Sequence, residues 1–258
     1  MNRKPFKLIT FDVTGTLLKY RSSPAIEYSN ILNKYGIEVR LSTLENLINK
    51  NWTFMTKAHP NFGLYTGLEW ENYWRIYAHN VFSKAFQIEN ITDNVPLTNI
   101  IDDLMMTYST GETFKVQNGA IELLEYLKKE EITLGVMSNY DPRIKSMITN
   151  LGLSHYFKFI LSSYEVRSEK PDIKIFRKAE SYIEQGLNRE LFLHVGDSYL
   201  LDFKGAKNAG WSACLVHTNK NIIEQYPCVS GCIFEDFIAL KRFLKICNAK
   251  KMYSEQQN

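Results

Sequence analysis

The chain has 258 residues, of which 45% are hydrophobic, enough for one full core and a smaller one beside it. Its formal charge is +3, from 31 basic and 28 acidic side chains scattered along the sequence, which gives no electrostatic ground for a nucleic-acid or anionic-membrane partner. No apolar run of about 18 residues occurs, so no transmembrane span is expected. The N-terminal MNRKPFKLITFD is too short and too polar for a signal peptide, so the expected setting is cytoplasmic.

In chain order, the first apolar run is KLITF (7–11), closed by Asp12. The next run of that kind, ITLGVM (132–137), comes about 120 residues later. Within the gap, Leu44, Leu47 and Ile48 form one helical stripe, and Trp70, Tyr73, Trp74 and Tyr77 another. With Trp52, Phe54 and Phe82, these aromatics are expected to pack a small helical bundle. The stretch His59-Pro-Asn-Phe-Gly-Leu-Tyr65 is instead a loop rich in groups that can orient a ligand, and is expected to face substrate.

A helix over roughly 115–129 precedes ITLGVM, with Ile121, Leu124 and Leu127 on one face and Leu123 beside it. Asp141-Pro142 reads as N-cap and first helical residue of the next helix, which Gly152 closes. FKFIL (157–161) follows, then a helix from Asp172 to Gln185 stopped by Gly186. LFLHV (191–195), a short helix from Asp202 to Gly210, and SACLV (212–216) come next. Phe237, Leu240, Phe243 and Leu244 mark a last helix, and a polar tail, expected to fray, starts near Asn248. Short apolar runs alternating with helices predict a doubly wound α/β parallel sheet with right-handed crossovers. The expected organisation is a sheet core of 1–19 plus 114–247, an all-helical insert of 20–113, and a tail of 248–258.

Of the four cysteines, Cys228-x3-Cys232 could be half of a zinc site. No second pair or nearby histidine pair completes it, and free thiols in a reducing compartment are expected for these two, Cys214 and Cys247.

Ligands of an open parallel sheet bind beyond the carboxyl ends of its strands. The residues there are Asp12, Ser138-Asn139 and Gly196-Asp197, with Lys170-Pro-Asp and Asp202 in the segments that follow. Each alone is ordinary: a cap, a turn, a helix start. Together they supply a carboxylate nucleophile, hydroxyl donors, a fixed cation and paired acids. That set suits phosphoryl transfer through an aspartyl phosphate, with Mg²⁺ relieving the repulsion between carboxylate and phosphate. In this scheme Asp12 and Asp197 ligate the metal, and Asp202 holds a metal water or Lys170. Lys170 neutralises phosphate charge, and Ser138 and Thr16 donate to phosphoryl oxygens.

The four stretches Asp12-Val-Thr-Gly-Thr-Leu-Leu, Ser138-Asn, Lys170-Pro-Asp and Gly196-Asp197-x4-Asp202 resemble, in order and spacing, the four motifs of the haloacid dehalogenase-like hydrolases. The resemblance implies a Rossmannoid core with an inserted helical cap of the C1 type, a small phosphorylated substrate, a Mg²⁺ cofactor and a monomer or homodimer. It implies catalytic roles for Asp12, Thr14, Ser138 and Lys170. Phosphate would be bound by Thr16, Ser138, Asn139 and Lys170, and metal by Asp12, Thr14, Asp197 and Asp202. Pro60-Asn-Phe-Gly-Leu, Ser138-Asn-Tyr-Asp and His194-Val-Gly-Asp-Ser-Tyr-Leu-Leu-Asp resemble a narrower branch whose substrates are poorly defined.

Thr14 departs from the pattern. Phosphatases of the superfamily usually carry there an Asp that protonates the leaving group and later activates water. A threonine hydroxyl cannot do this near neutral pH, and such help is worth about 10²–10⁴-fold. Three readings follow: a slow Mg²⁺-dependent phosphohydrolase, a binding module that kept the pocket, or a metal-independent dehalogenase. The transport ATPases of the superfamily carry Thr at this place and make a lasting aspartyl phosphate. The retained Asp197 and Asp202 argue against the dehalogenase.

Overall fold

The computed structural model describes residues 6–92, 95–217 and 221–255. The chain divides into two compact units, one of residues 1–19, 116–139 and 152–258 and one of residues 20–115 and 140–151.

The first unit is built on a six-stranded sheet. Its strands are β1 (Leu8–Phe11), β4 (Thr133–Ser138), β5 (Phe159–Ser162), β6 (Phe192–Gly196), β7 (Ser212–Val216) and β8 (Ile233–Phe234), in the order β5-β4-β1-β6-β7-β8. Every neighbouring pair is parallel. All four residues of β1 are buried, as are all five of β6, because helices cover both faces and leave no polar side to alternate with. On one face Phe159, Phe176, Phe192, Trp211 and Leu215 form the core. Each large side chain buried there contributes about 1.5–3 kcal/mol. Successive connections run outward in both directions from β1, so the carboxyl ends of β1 and β6 flank the switch in strand order.

Three strands escaped the sequence reading, β8 at one edge of the large sheet and two outside it. β2 (Leu18–Tyr20) and β3 (Phe114–Val116) pair as a small second sheet. Three residues are too few to show a period, and β3 takes the start of the helix expected from 115, which begins at Ala120. The helix expected over 172–185 is Ile173–Glu180, capped by the Asp172 side chain on the Lys174 N–H. It ends early because Tyr182 turns away to stack on Phe159, 4.4 Å between ring centres. The helix expected from Asp202 begins at Tyr199 as a π-helical turn through Lys204 and continues as Gly205–Asn208. The last helix spans Phe237–Glu255, and the side chains of Cys247 and of the tail 248–258 lie outside the described residues. Among the described residues Cys214, Cys228 and Cys232 form no disulfide.

The second unit is helical: Pro24–Asn33, Leu41–Ala58, Trp70–Ile88, Leu97–Thr110 and Ile144–Asn150. Leu44, Ile48, Tyr73, Tyr77, Phe82, Ile100 and Leu104 fill its core. Trp52 and Phe54 do not, being 45% and 61% exposed. The boundary differs from expectation, since 140–151 groups with the helices rather than with the sheet. The cause is a buried polar knot. Asp141 accepts from the Arg143 guanidinium at 2.9 and 2.7 Å and from the Trp74 indole N–H at 2.8 Å. Arg143 lies 5.0 and 5.3 Å from the rings of Trp70 and Trp74. Asp141 also accepts from the Arg143 backbone N–H, but it is not the N-cap expected: the helix starts two residues late, at Ile144, with Arg143 at the cap position and no side chain capping it.

Candidate active site

Asp12 follows β1 directly, and the chain then folds into a tight turn. The Gly15 N–H donates to the Leu18 carbonyl and the Leu18 N–H to the Val13 carbonyl, both at 2.8 Å. Gly15 adopts φ +90°, and a Cβ there would stand 2.3 Å from Asp197 Oδ2. Both the turn and the close approach of Asp197 therefore require glycine. At the end of β6, a Cβ on Gly196 would stand 2.1 Å from Asp202 Cγ, so this second glycine admits the Asp202 carboxylate to the sheet edge.

The residues singled out from sequence converge. Asp12 Oδ1 accepts from Lys170 Nζ at 2.7 Å and from Ser138 Oγ at 3.0 Å. Lys170, itself 2% exposed, also donates to Asp202 Oδ1 at 2.5 Å. Thr16 Oγ1 lies 3.4 Å from Asp12 Oδ2 and 3.5 Å from Asp197 Oδ1. Asn139 does something the sequence reading did not anticipate. Its side-chain amide donates to the Lys170 carbonyl at 2.9 Å and accepts from the Lys170 N–H at 2.7 Å. That two-point clamp ties its side chain to the Lys170 backbone and so helps to place Lys170. Thr14 Oγ1 is buried with no hydrogen-bond partner.

Three carboxylates share one ammonium here, and the charges respond. Burial, reinforced by the carboxylates of Asp12 and Asp202, pushes the Asp197 carboxyl up to about 7. Burial would raise Asp202 too, but the attraction of Lys170 and the His194 hydrogen bond outweigh it and hold Asp202 well below the usual carboxylate range. Burial would lower Lys170, but Asp12 and Asp202 hold its ammonium above its ordinary value.

Asp12, Asp197 and Asp202 each bring a carboxylate oxygen within 4.8 Å of the other two. An all-oxygen donor set suits a hard cation such as Mg²⁺. The cluster and the raised Asp197 carboxyl mark a spot where a cation relieves excess negative charge. Asp202 is already engaged. Its Oδ1 takes Lys170 and His194, and its Oδ2 takes the Ser198 N–H at 2.9 Å. The residues therefore fit Mg²⁺ with Asp12 and Asp197 as the carboxylates still open to it.

Sequence reasoning named His194 only as part of a motif and passed over Thr10. Their one visible signal was a polar residue inside each of two otherwise apolar strands.

The haloacid dehalogenase-like hydrolase family matches this chain over residues 9–216. The chain belongs to the haloacid dehalogenase-like hydrolases. Among relatives of this hydrolase, the Rhythmically expressed gene 2 protein of Drosophila melanogaster is 38% identical, over 82% of this chain and 83% of its own. Haloacid dehalogenase-like hydrolase domain-containing protein 3 of Mus musculus is 32% identical, over 83% of each chain. The fold is shared with the putative HAD-hydrolase YfnB of Bacillus subtilis, solved bound to magnesium, at TM-score 0.65 and 21% identity, covering 94% of this chain and 100% of that one. It is also shared with the 2-haloacid dehalogenase of Pseudomonas syringae pv. Tomato DC3000, at TM-score 0.56 and 23% identity, covering 81% and 86%.

Proposed function

We propose that this hydrolase is a Mg²⁺-dependent phosphohydrolase acting on a small phosphorylated metabolite, with Asp12 as nucleophile. The observation that carries the reading is the pairing of Asp12 with a fully buried Lys170 and a neighbouring Asp197 whose proton is held to about 7. A buried ammonium and an electron-rich carboxylate pair match a phosphate monoester with a bound cation.

Asp12 attacks phosphorus while the bond from phosphorus to the ester oxygen breaks. The leaving oxygen takes its proton from water, since Thr14 has no acid to give. Water then attacks the aspartyl phosphate at phosphorus, breaks its bond to Asp12 and releases phosphate. Lys170 and the Ser138 and Thr16 hydroxyls balance charge on the transferred group. Mg²⁺, held by Asp12 and Asp197 with Thr14 alongside and Asp202 behind, would shield the attacking carboxylate from the phosphate. Both steps are slow without the acid–base residue, so esters with good leaving groups are preferred. The helical unit is the substrate-selecting cap, with His59–Tyr65 as its contact loop. The protein works in the cytoplasm as a monomer or homodimer.

Thr14 also favours a second reading, a module that binds a phosphorylated ligand or partner without turning it over. At 21% and 23% identity, the likenesses to YfnB and to the dehalogenase support the fold alone. Hydrolysis of an aryl phosphate with and without Mg²⁺ separates the readings. The phosphohydrolase requires Mg²⁺-dependent release that Asp12→Asn lowers by about 10³-fold or more. Absence of release from the wild type leaves the binding module, and metal-free halide release from a haloacid the dehalogenase.

A further inference from the structure

Thr10 and His194 are register partners on the adjacent parallel strands β1 and β6, so their side chains leave the sheet on the same face. Both are fully buried. Two residues further along each strand, on that face, stand Asp12 and Gly196, the glycine that admits Asp202. The His194 ring spans these two levels. Nδ1 lies 2.8 Å from Thr10 Oγ1 and Nε2 lies 3.0 Å from Asp202 Oδ1. Phe176 meets the ring edge-to-face at 5.7 Å and closes its side.

Donor and acceptor bookkeeping selects one arrangement. Asp202 receives Lys170 Nζ on Oδ1 and the Ser198 N–H on Oδ2, so both oxygens act as acceptors. Nε2 must then carry a hydrogen, because a bare ring nitrogen 3.0 Å from the same oxygen would be repelled. If Nδ1 also carried one, the Thr10 hydroxyl would accept it and have to leave its own hydrogen unbonded in a dry interior, at a cost of about 1–3 kcal/mol. Only the Nε2–H tautomer with Thr10 donating to Nδ1 satisfies every group. Burial, which pulls the imidazole below its ordinary value, acts in the same direction.

We propose that Asp202 and Thr10 together lock His194 in the neutral Nε2–H tautomer, and that His194 is a positioning residue which fixes the Asp202 carboxylate and through it the Lys170 ammonium against Asp12. The hydrogens then run one way, from Thr10 to His194 to Asp202, with Lys170 bridging Asp202 and Asp12. The tautomer stands on this geometry alone, and its effect on turnover rests on the phosphohydrolase reading.

The test is ¹⁵N NMR of the histidine-labelled full chain, metal-free, with His194→Gln assigning the signal. The wild type is expected to show a pyridine-type Nδ1 and a pyrrole-type Nε2 at His194. Thr10→Ser keeps this pattern, and Thr10→Val, which removes the hydroxyl at nearly constant shape, keeps Nε2–H against Asp202 but moves the Nδ1 signal downfield as its hydrogen bond is lost. In the turnover arm, Thr10→Val is expected to lower kcat for an aryl phosphate about 10–100-fold with KM little changed, and Thr10→Ser to restore it. A wild-type Nδ1–H or doubly protonated ring would overturn the proposal, and so would an Nδ1 signal unmoved in a folded Thr10→Val. If Thr10→Val does not fold, the wild-type spectrum and His194→Gln against His194→Leu decide. Glutamine can still donate to Asp202 and is expected to retain most turnover, while equal losses in the two overturn the positioning role. A chain with no turnover at all defeats the phosphohydrolase reading and leaves the spectra to judge the tautomer.

Discussion

Residue 14, two places after Asp12, carries a hydroxyl that is buried without a partner where phosphatases of the superfamily carry an acid. Thr14→Asp is expected to raise kcat toward alkyl phosphates by about 10²–10⁴-fold, and much less toward aryl phosphates, whose oxygens leave unaided. Steady-state rates on the two substrate types check this, with Thr14→Ser as the variant that gains nothing. Asp197 gives a second expectation. An aspartate titrates near 3.9 in an unfolded chain, and this one is held to about 7. Between those values the folded chain keeps a proton that the unfolded chain has lost. The contribution to stability is therefore full at low pH and declines as pH rises through about 7. Asp197→Asn is expected to raise the melting temperature of the metal-free protein by several degrees at pH 8 and to leave it nearly unchanged at pH 4. Mg²⁺ needs the ionised form, so its affinity strengthens up to about tenfold per pH unit and levels off above about 7, which calorimetry across pH reads directly.

At this scale the sequence was legible where polar residues stand at strand ends. Asp12, Ser138 and Asp197 each follow an apolar run, and Lys170 and Asp202 could be placed by spacing. Thr10 and His194 were not legible, because what joins them is a register between strands 184 residues apart. Asn139 was placed correctly in the chain, but the use of its amide depends on where the Lys170 backbone passes.

Among the elements, the five apolar runs became β1, β4, β5, β6 and β7 because strands buried on both faces announce themselves as unbroken hydrophobic stretches. β2, β3 and β8 carry too few residues for any period to register. The Ile144–Asn150 helix shows a different limit. Asp141-Pro142 was readable as the approach to a helix, but not the Arg143 and Trp74 contacts of Asp141, which replace its expected role as cap. Removing one partner of a buried ion pair strands the other, so Asp141→Ala is expected to destabilise the fold by about 3–5 kcal/mol. Urea unfolding measures it, and replacing both Asp141 and Arg143 by apolar residues is expected to recover much of the loss.

For the whole molecule, the chain passes between its two units at four places: 19/20, 115/116, 139/140 and 151/152. The first two bound the long insert, as composition and spacing suggested. The last two follow from the Asp141 knot and start one residue after Asn139, which clamps the Lys170 backbone. Ligand binding to the folded chain alone stabilises it by about 2.7 kcal/mol at a hundredfold excess over Kd. Mg²⁺ at that excess is therefore expected to raise the melting temperature by about 5–10 °C, and Asp197→Asn to abolish the rise.

The claim that organises these expectations is that Asp12 takes a phosphoryl group and that Thr14 slows its release. Acid-quenching the protein during turnover of an aryl phosphate with Mg²⁺, followed by peptide mass analysis, tests it most directly. The account predicts one added phosphoryl group on the peptide containing Asp12, accumulating in the wild type, reduced in Thr14→Asp and absent in Asp12→Asn. Turnover with no adduct at Asp12, or turnover undiminished in Asp12→Asn, would contradict it.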